Sequence, residues 1–302
     1  MRRRDLLAAA AAPLAAAPIS AGAQPPPRRV LWAANLRTRP LADRLEAAAA
    51  SGFTHMSMFP IDFRLLLDSG MGAAAIGQQI RASGVRVHVC DPFVQWVPDF
   101  AIPSGYPPDY VAFIAHDEDF LYRMAEAVGA EAVNCVEGLG RPYEPAALSD
   151  ALGEFALRAR RRGLSTAFEF MPISSVPDLA AGWRIVAPLE SAGVGLTFDT
   201  WHYFRSRPDP ALLATIPPAR ILEVQLADAM LALRGASLTE DLLRFRMLPG
   251  DGELDIAGVV AILRRIGAWR SVGPEVFADA MDALAPQEAA RRAARSLDRF
   301  LA

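Results

Sequence analysis

The chain has 302 residues, 52% of them hydrophobic, which supplies one large core and fits a single domain. Its formal net charge of -3 argues against a nucleic-acid binder, which carries a basic stripe. All 31 basic residues are arginine, and without a lysine amine Schiff-base catalysis, pyridoxal phosphate attachment and a P-loop are excluded.

At the N-terminus Arg2, Arg3 and Arg4 precede an apolar run at 6–17, and Ala21-Gly22-Ala23 offers the small residues of a cleavage site. Pro13 and Pro18 interrupt the run, which is too short to span a bilayer. Arg3-Arg4-Asp5-Leu6-Leu7 resembles a twin-arginine signal. Residues 1–23 are therefore expected to direct export to the periplasm or beyond, leaving no stable membrane anchor after cleavage. Pro25-Pro26-Pro27 makes 24–29 a tether, and 30–302 is expected to form one domain.

The first strand is expected at 30–34 and the first helix at 41–51, closed by Gly52. Further strands begin near Thr54, Val85, Ala132, Ser165, Val194, Ile221 and Val272. Most follow a glycine that ends a helix: Gly84, Gly129, Gly163, Gly193 and Gly267. The remaining helices fall near 73–83, 110–128, 145–162, 177–191, 209–215, 255–266 and 286–301. Strict alternation implies a parallel sheet with helical crossovers, and eight such units predict an α/β fold, a closed (β/α)8 TIM barrel. No G-x-G-x-x-G follows the first strand, which disfavours an open dinucleotide-binding sheet. Cys90 and Cys135 lie in strand-like apolar runs and read as buried thiols, although an oxidising compartment permits a disulfide. The long segment 229–253 is expected to be a lid or substrate-binding element.

Catalytic groups of such barrels sit at the C-terminal ends of strands. Strand five ends in Glu169, strand six in Asp199, strand seven carries Gln225, and strand eight carries Glu275. A carboxylate in an apolar strand is costly to bury unless paired or metal-bound. Any one of these acids alone is equally well explained by a salt bridge to an arginine. Together, four hard oxygen donors on adjacent strands suit one Mg²⁺ or Mn²⁺. His55, His88, Asp91 and Glu137 lie near the ends of strands two to four; His88 and Glu137 are taken as substrate-binding candidates. Phe93, Trp96 and Trp201 are candidates for an apolar wall.

In this order and spacing the motifs resemble the xylose isomerase-like barrel family, in particular its sugar phosphate isomerase/epimerase branch. They are the strand-five Glu169, the Asp199-x-x-His202 pair, Val224-Gln225-Leu226-Ala227-Asp228, Leu248-Pro249-Gly250-Asp251-Gly252-Glu253 and Pro274-Glu275-Val276-Phe277. The resemblance implies that Glu169, Asp199, Gln225 and Glu275 ligate the metal, that His202 touches substrate oxygens, and that Arg246 faces an anionic or hydroxylated substrate. Many members carry histidine where this chain has Gln225, so Mn²⁺ or Mg²⁺ is expected ahead of Co²⁺ or Zn²⁺.

The implied function is a divalent-metal-dependent isomerase or epimerase of a keto-sugar or polyol, working through an enediolate with Glu169 and Glu275 as the acid/base pair. The same enediolate can instead expel a β-hydroxyl, which makes a dehydratase of a cyclic hydroxy-ketone the alternative. A non-catalytic periplasmic sugar-binding barrel is a further alternative. The apurinic endonuclease branch is disfavoured, because its metal cluster needs more than the four histidines present. The expected partner is a small-molecule sugar or polyol, not nucleic acid, and a homo-oligomer is compatible with the fold.

Overall fold

The computed structural model describes residues 26–301, so the expected signal peptide at 1–23 lies outside the described residues. Eight strands form the sheet: β1 (Arg28–Leu31), β2 (His55–Met58), β3 (Arg86–Phe93), β4 (Ala132–Val136), β5 (Ser165–Glu169), β6 (Gly195–Asp199), β7 (Ile221–Leu226) and β8 (Ser271–Pro274). They pair in chain order, all parallel, and β1 pairs with β8 to close the barrel. The architecture is a closed, all-parallel (β/α)8 barrel, as expected. β1 starts before the expected strand because Arg28 and Arg29 pair with Ser271 and Val272.

Closure depends on one glycine. A Cβ on Gly273 would lie 1.7 Å from the Val30 carbonyl oxygen, so no other residue fits where β8 meets β1. Outward side chains such as Val133, Phe168, Leu196 and Val224 share one core cluster with helical Leu121, Phe155, Val186 and Leu263. Each such fully buried side chain contributes roughly 1.5–3 kcal/mol. Among the described residues no helix is long and apolar enough to cross a membrane.

The helices depart from the expected pattern in several places, among them the short additional helices Thr200–Arg205 and Asp279–Asp282. Pro60–Asp68 is an additional helix, started by a proline whose fixed φ suits the first turn. The helix expected at 110–128 is two, Pro108–Ile114 and Glu118–Val128, because Asp117 caps the second by accepting from the Phe120 N–H at 2.7 Å. The long segment after β7 contains a helix at Leu238–Arg244.

Inside the barrel, polar groups occupy both ends and an apolar cluster of Val30, Trp32, Val89 and Ala132 separates them. At the N-terminal end His88 lies 2.7 Å from Glu223, and Ser271 donates to the same carboxylate at 2.5 Å. Arg28 completes that network, 3.2 Å from Glu131. The other end holds the acids of strands five to eight.

Candidate metal-binding active site

Glu169 and Asp199 are the last residues of their strands, Gln225 is next to last in β7, and Glu275 directly follows β8. The register sets Glu169 beside Thr197 and Asp199 beside Gln225. The Glu275 N–H donates to the Leu226 carbonyl at 2.9 Å, which extends the β7–β8 pairing by a residue. All four side chains are buried. Asp199 also caps the helix Thr200–Arg205: its Oδ1 accepts from the His202 N–H at 2.9 Å, and that turn brings His202 back over the strand ends.

Glu169, Asp199 and His202 each offer a ligand atom within 4.8 Å of the others. His202 Nε2 lies 3.2 Å from Glu169 Oε1. Arg246 enters from the segment after β7 and joins this trio to Glu275. Its Nη1 donates to Asp199 Oδ2 at 2.7 Å and to Glu275 Oε2 at 3.2 Å. The guanidinium is held between the rings of Trp201 and Phe277, 5.0 and 5.2 Å from their centroids. Gln225 Nε2 donates to Glu275 Oε1 at 3.0 Å. On the opposite side of Glu169, Asn134 Nδ2 donates to its Oε2 at 2.6 Å and to Asp91 Oδ1 at 2.8 Å.

These contacts divide the acids. Burial pushes the Asp199 carboxyl up, but Arg246 and then His202 more than offset it and hold it below the usual range. Burial raises Glu275 well above that range despite Arg246, with Glu169, Asp91 and Asp199 adding repulsion. Asp91 is pushed up to about 8, first by burial and then by Glu169. One ionised anchor and two proton-holding carboxyls thus share one chamber.

The remaining expected site residues lie elsewhere. His88 is near the start of β3, at the N-terminal end of the barrel, bonded to Glu223 and edge-on to His55 at 5.7 Å. It is not in the substrate shell. Glu137 is fully buried and accepts from Leu139 N, Ser175 N and Ser175 Oγ at 2.8–2.9 Å. Its carboxylate ties the loops after β4 and β5 together, which corrects its assignment to substrate. Phe93 packs outward against Phe155, and Trp96 donates to the Val136 carbonyl, so of the expected wall only Trp201 reaches the site. Phe277 takes the matching place and stacks on Phe59. Cys90 and Cys135 are buried free thiols. Asn134 was missed, yet it too is a polar residue in an apolar strand, the same signal that marked the acids.

The segment 229–253 is fixed by two buried aspartates. Asp228 accepts from Gly250 N and Leu254 N, each at 3.0 Å, and so shapes the Pro-Gly-x-Gly turn. Asp241 accepts from Arg205 Nε at 2.9 Å and Trp201 Nε1 at 3.2 Å. The segment delivers Arg246 to the site.

Residues 45–300 match the family of xylose isomerase-like TIM barrels. The chain belongs to that family. This xylose isomerase-like barrel is 28% identical over 260 residues to a 3-dehydroshikimate dehydratase of Pseudomonas aeruginosa, a match covering 85% of the chain and 39% of that protein. The chain thus spans about two fifths of that relative's length. The crystal structure of the IolI protein with a bound zinc atom is 17% identical, covers 91% of this chain and 98% of its own, and superposes with a TM-score of 0.76. An L-ribulose 3-epimerase structure is 16% identical, covers 91% of this chain and 94% of its own, and gives a TM-score of 0.64. At these identities the two structures share the fold.

The xylose isomerase-like site fits a divalent cation. Gln225 Oε1 is buried without a hydrogen-bond partner, an arrangement that costs about 1–3 kcal/mol and that a cation relieves. Glu169, Asp199, Glu275 and Asp91 crowd around one guanidinium, and the mutual repulsion that helps raise Glu275 and Asp91 is what a cation would relieve. Oxygen donors dominate and His202 adds a nitrogen, so the set could hold Mn²⁺, Mg²⁺, Zn²⁺ or Co²⁺.

Proposed function

We propose that this barrel is a divalent-metal-dependent enzyme of small hydroxy-ketones and that it dehydrates a cyclic one. The observation that carries the reading is the cluster of Glu169, Asp199 and His202, which Arg246 joins to Glu275 and so to Gln225, whose Oε1 is orphaned. Glu169, Asp199, Gln225 and Glu275, with His202 in reach, would hold the ion, Mn²⁺ or Mg²⁺ ahead of Co²⁺ and Zn²⁺ because oxygen donors prevail. When bound, such an ion supplies Lewis-acid stabilisation of negative charge on substrate oxygens.

The protein's own groups handle the protons. Glu169, with Oε2 held by Asn134 and Oε1 facing His202, removes the proton from the carbon beside the substrate carbonyl. Glu275, hydrogen-bonded by Gln225 and Arg246, is the partner acid and enters the step protonated. It delivers that proton to the β-hydroxyl as the C–O bond breaks, a C=C bond forms and water leaves. Arg246 is placed to hold an anionic or hydroxylated substrate group.

Dehydration is placed ahead of epimerisation because the 3-dehydroshikimate dehydratase likeness extends over 85% of the chain. Isomerisation or epimerisation of a keto-sugar or polyol, with Glu169 and Glu275 exchanging the proton across one carbon, is the second reading. It is supported by the fold shared with an L-ribulose 3-epimerase. Export through residues 1–23 belongs to the same proposal and favours free over phosphorylated substrates; cell fractionation tests it.

The two outcomes separate by mass. The protein with Mn²⁺ is incubated in D₂O with cyclic hydroxy-ketones, 3-dehydroshikimate among them, and with keto-sugars. A product lighter by one water supports dehydration. Deuterium uptake without that loss supports epimerisation, and neither change in any substrate contradicts both.

A further inference from the structure

We propose that Asn134 is a positioning residue for Glu169: it pins one oxygen of the carboxylate to the barrel wall and so presents the other to the site. This rests on the functional reading above, in which Glu169 is the base.

Asn134 is the middle residue of β4, and its neighbours Val133 and Cys135 pack outward in the core. Strand alternation turns the amide inward, where it is fully buried. Both of its N–H groups are used, one on Glu169 Oε2 at 2.6 Å and one on Asp91 Oδ1 at 2.8 Å. Its oxygen accepts from Thr197 Oγ1 at 2.8 Å. The partners fix the orientation of the amide, because carboxylate oxygens call for the nitrogen side. Thr197 in turn lies beside Glu169 in the β5–β6 register. One amide therefore links β3, β4, β5 and β6 behind a single carboxylate.

Glu169 is left with two unlike oxygens. Oε2 is held; Oε1 lies 3.2 Å from His202 Nε2, on the side of the ligand trio. Without the clamp, a glutamate with three rotatable bonds could turn either oxygen away from the substrate. The chemistry of the clamp also matters. An arginine here would neutralise Glu169, as Arg246 neutralises Asp199, and would lower its strength as a base. A neutral amide orients the carboxylate and leaves its charge in place. Two residues toward the N-terminal end from Asn134 and Glu169, Ala132 on β4 and Ala167 on β5 carry no polar side chain, so the amide is the polar group directly beneath the acid.

The test uses the full chain and three variants: Asn134→Leu, Thr197→Val and Glu169→Gln. Melting temperature, Mn²⁺ affinity by calorimetry, and kcat and KM for the reaction above are measured for each. Asn134→Leu is expected to fold, to bind Mn²⁺ roughly 10–100-fold more weakly, and to lose roughly 100-fold in kcat with KM little changed, the mark of a misplaced base. Thr197→Val, which removes only the hydroxyl behind the amide, is expected to lower kcat less, also at constant KM. A folded Asn134→Leu with wild-type kcat and Mn²⁺ affinity overturns the proposal. If Asn134→Leu does not fold, wild-type values in Thr197→Val overturn it. Failure of the functional reading looks different: the wild-type chain itself takes up no Mn²⁺ and turns nothing over. Melting temperatures of Asn134→Leu, Glu169→Gln and the double variant then decide, since non-additive shifts support the clamp and additive shifts overturn it.

Discussion

Asp91, Asp199 and Glu275 are all buried in one chamber, yet their neighbours give them different proton affinities. Asp199 is held ionised by Arg246, whereas Glu275 and Asp91 are pushed up by burial. A carboxyl whose folded pKa lies above its unfolded one stabilises the fold fully at low pH and loses that contribution as pH rises through the folded value. For Asp91 the window runs from its ordinary 3.8 to about 8. The metal-free protein should therefore melt at progressively lower temperature across that range, and Asp91→Asn should flatten the profile. An unchanged profile in that variant contradicts the placement of Asp91. Glu275→Gln matches the shape of the protonated acid, so it should fold normally while losing at least about 100-fold in turnover; retained turnover removes Glu275 from the acid's role. Asp199 and Glu275 were picked out in the sequence because a carboxylate in an apolar strand demands a partner, whereas Asp91, in a strand of the same kind, was noted and passed over. His88 and Glu137 were misjudged for different reasons. Alternation does not tell at which end of the barrel a side chain emerges, and β3 runs five residues beyond His88 to Phe93; Glu137 is at the right end, but its carboxylate is taken up by loop donors at Leu139 and Ser175 that no strand pattern shows.

At the scale of elements, β8 and the segment after β7 do most to place the site. Gly273 lets β8 approach β1, and Gly273→Ala would drive a Cβ into the Val30 carbonyl. That variant should lose about 1–3 kcal/mol or more in urea unfolding, or fail to fold; a wild-type midpoint would show that the barrel closes differently. Asp241 binds Arg205, Trp201 and the Arg234 N–H together. Asp241→Ala leaves a mostly buried arginine without its acid, a change worth about 3–5 kcal/mol. Hydrogen exchange should then rise in 229–246 ahead of the barrel strands, with KM increased because Trp201 and Arg246 lose their support. The alternation of strands and helices was readable from hydrophobic period and closing glycines. The helix inside 229–253 was passed over although Ser237-x-x-Glu240 marks its start locally, Ser237 accepting from the Glu240 N–H; what only the fold reveals is that its Asp241 anchors Trp201 and Arg205 from another strand end.

The whole molecule is a closed barrel whose interior is polar at both ends, and the two ends differ in kind. At the N-terminal end the acids are matched by Arg28, His88 and Ser271, which suits a structural seal. At the C-terminal end the acids outnumber the single arginine and an amide oxygen is orphaned, which suits a bound cation. That asymmetry is the central claim, and calorimetric titration of the purified chain with Mn²⁺ tests it most directly. The account predicts one ion per chain, a gain of about 2.7 kcal/mol in stability at one hundred times the dissociation constant, and loss of both when Glu169 and Asp199 are changed to their amides. No binding heat and no shift in melting temperature with Mn²⁺, Mg²⁺, Zn²⁺ or Co²⁺ would contradict it.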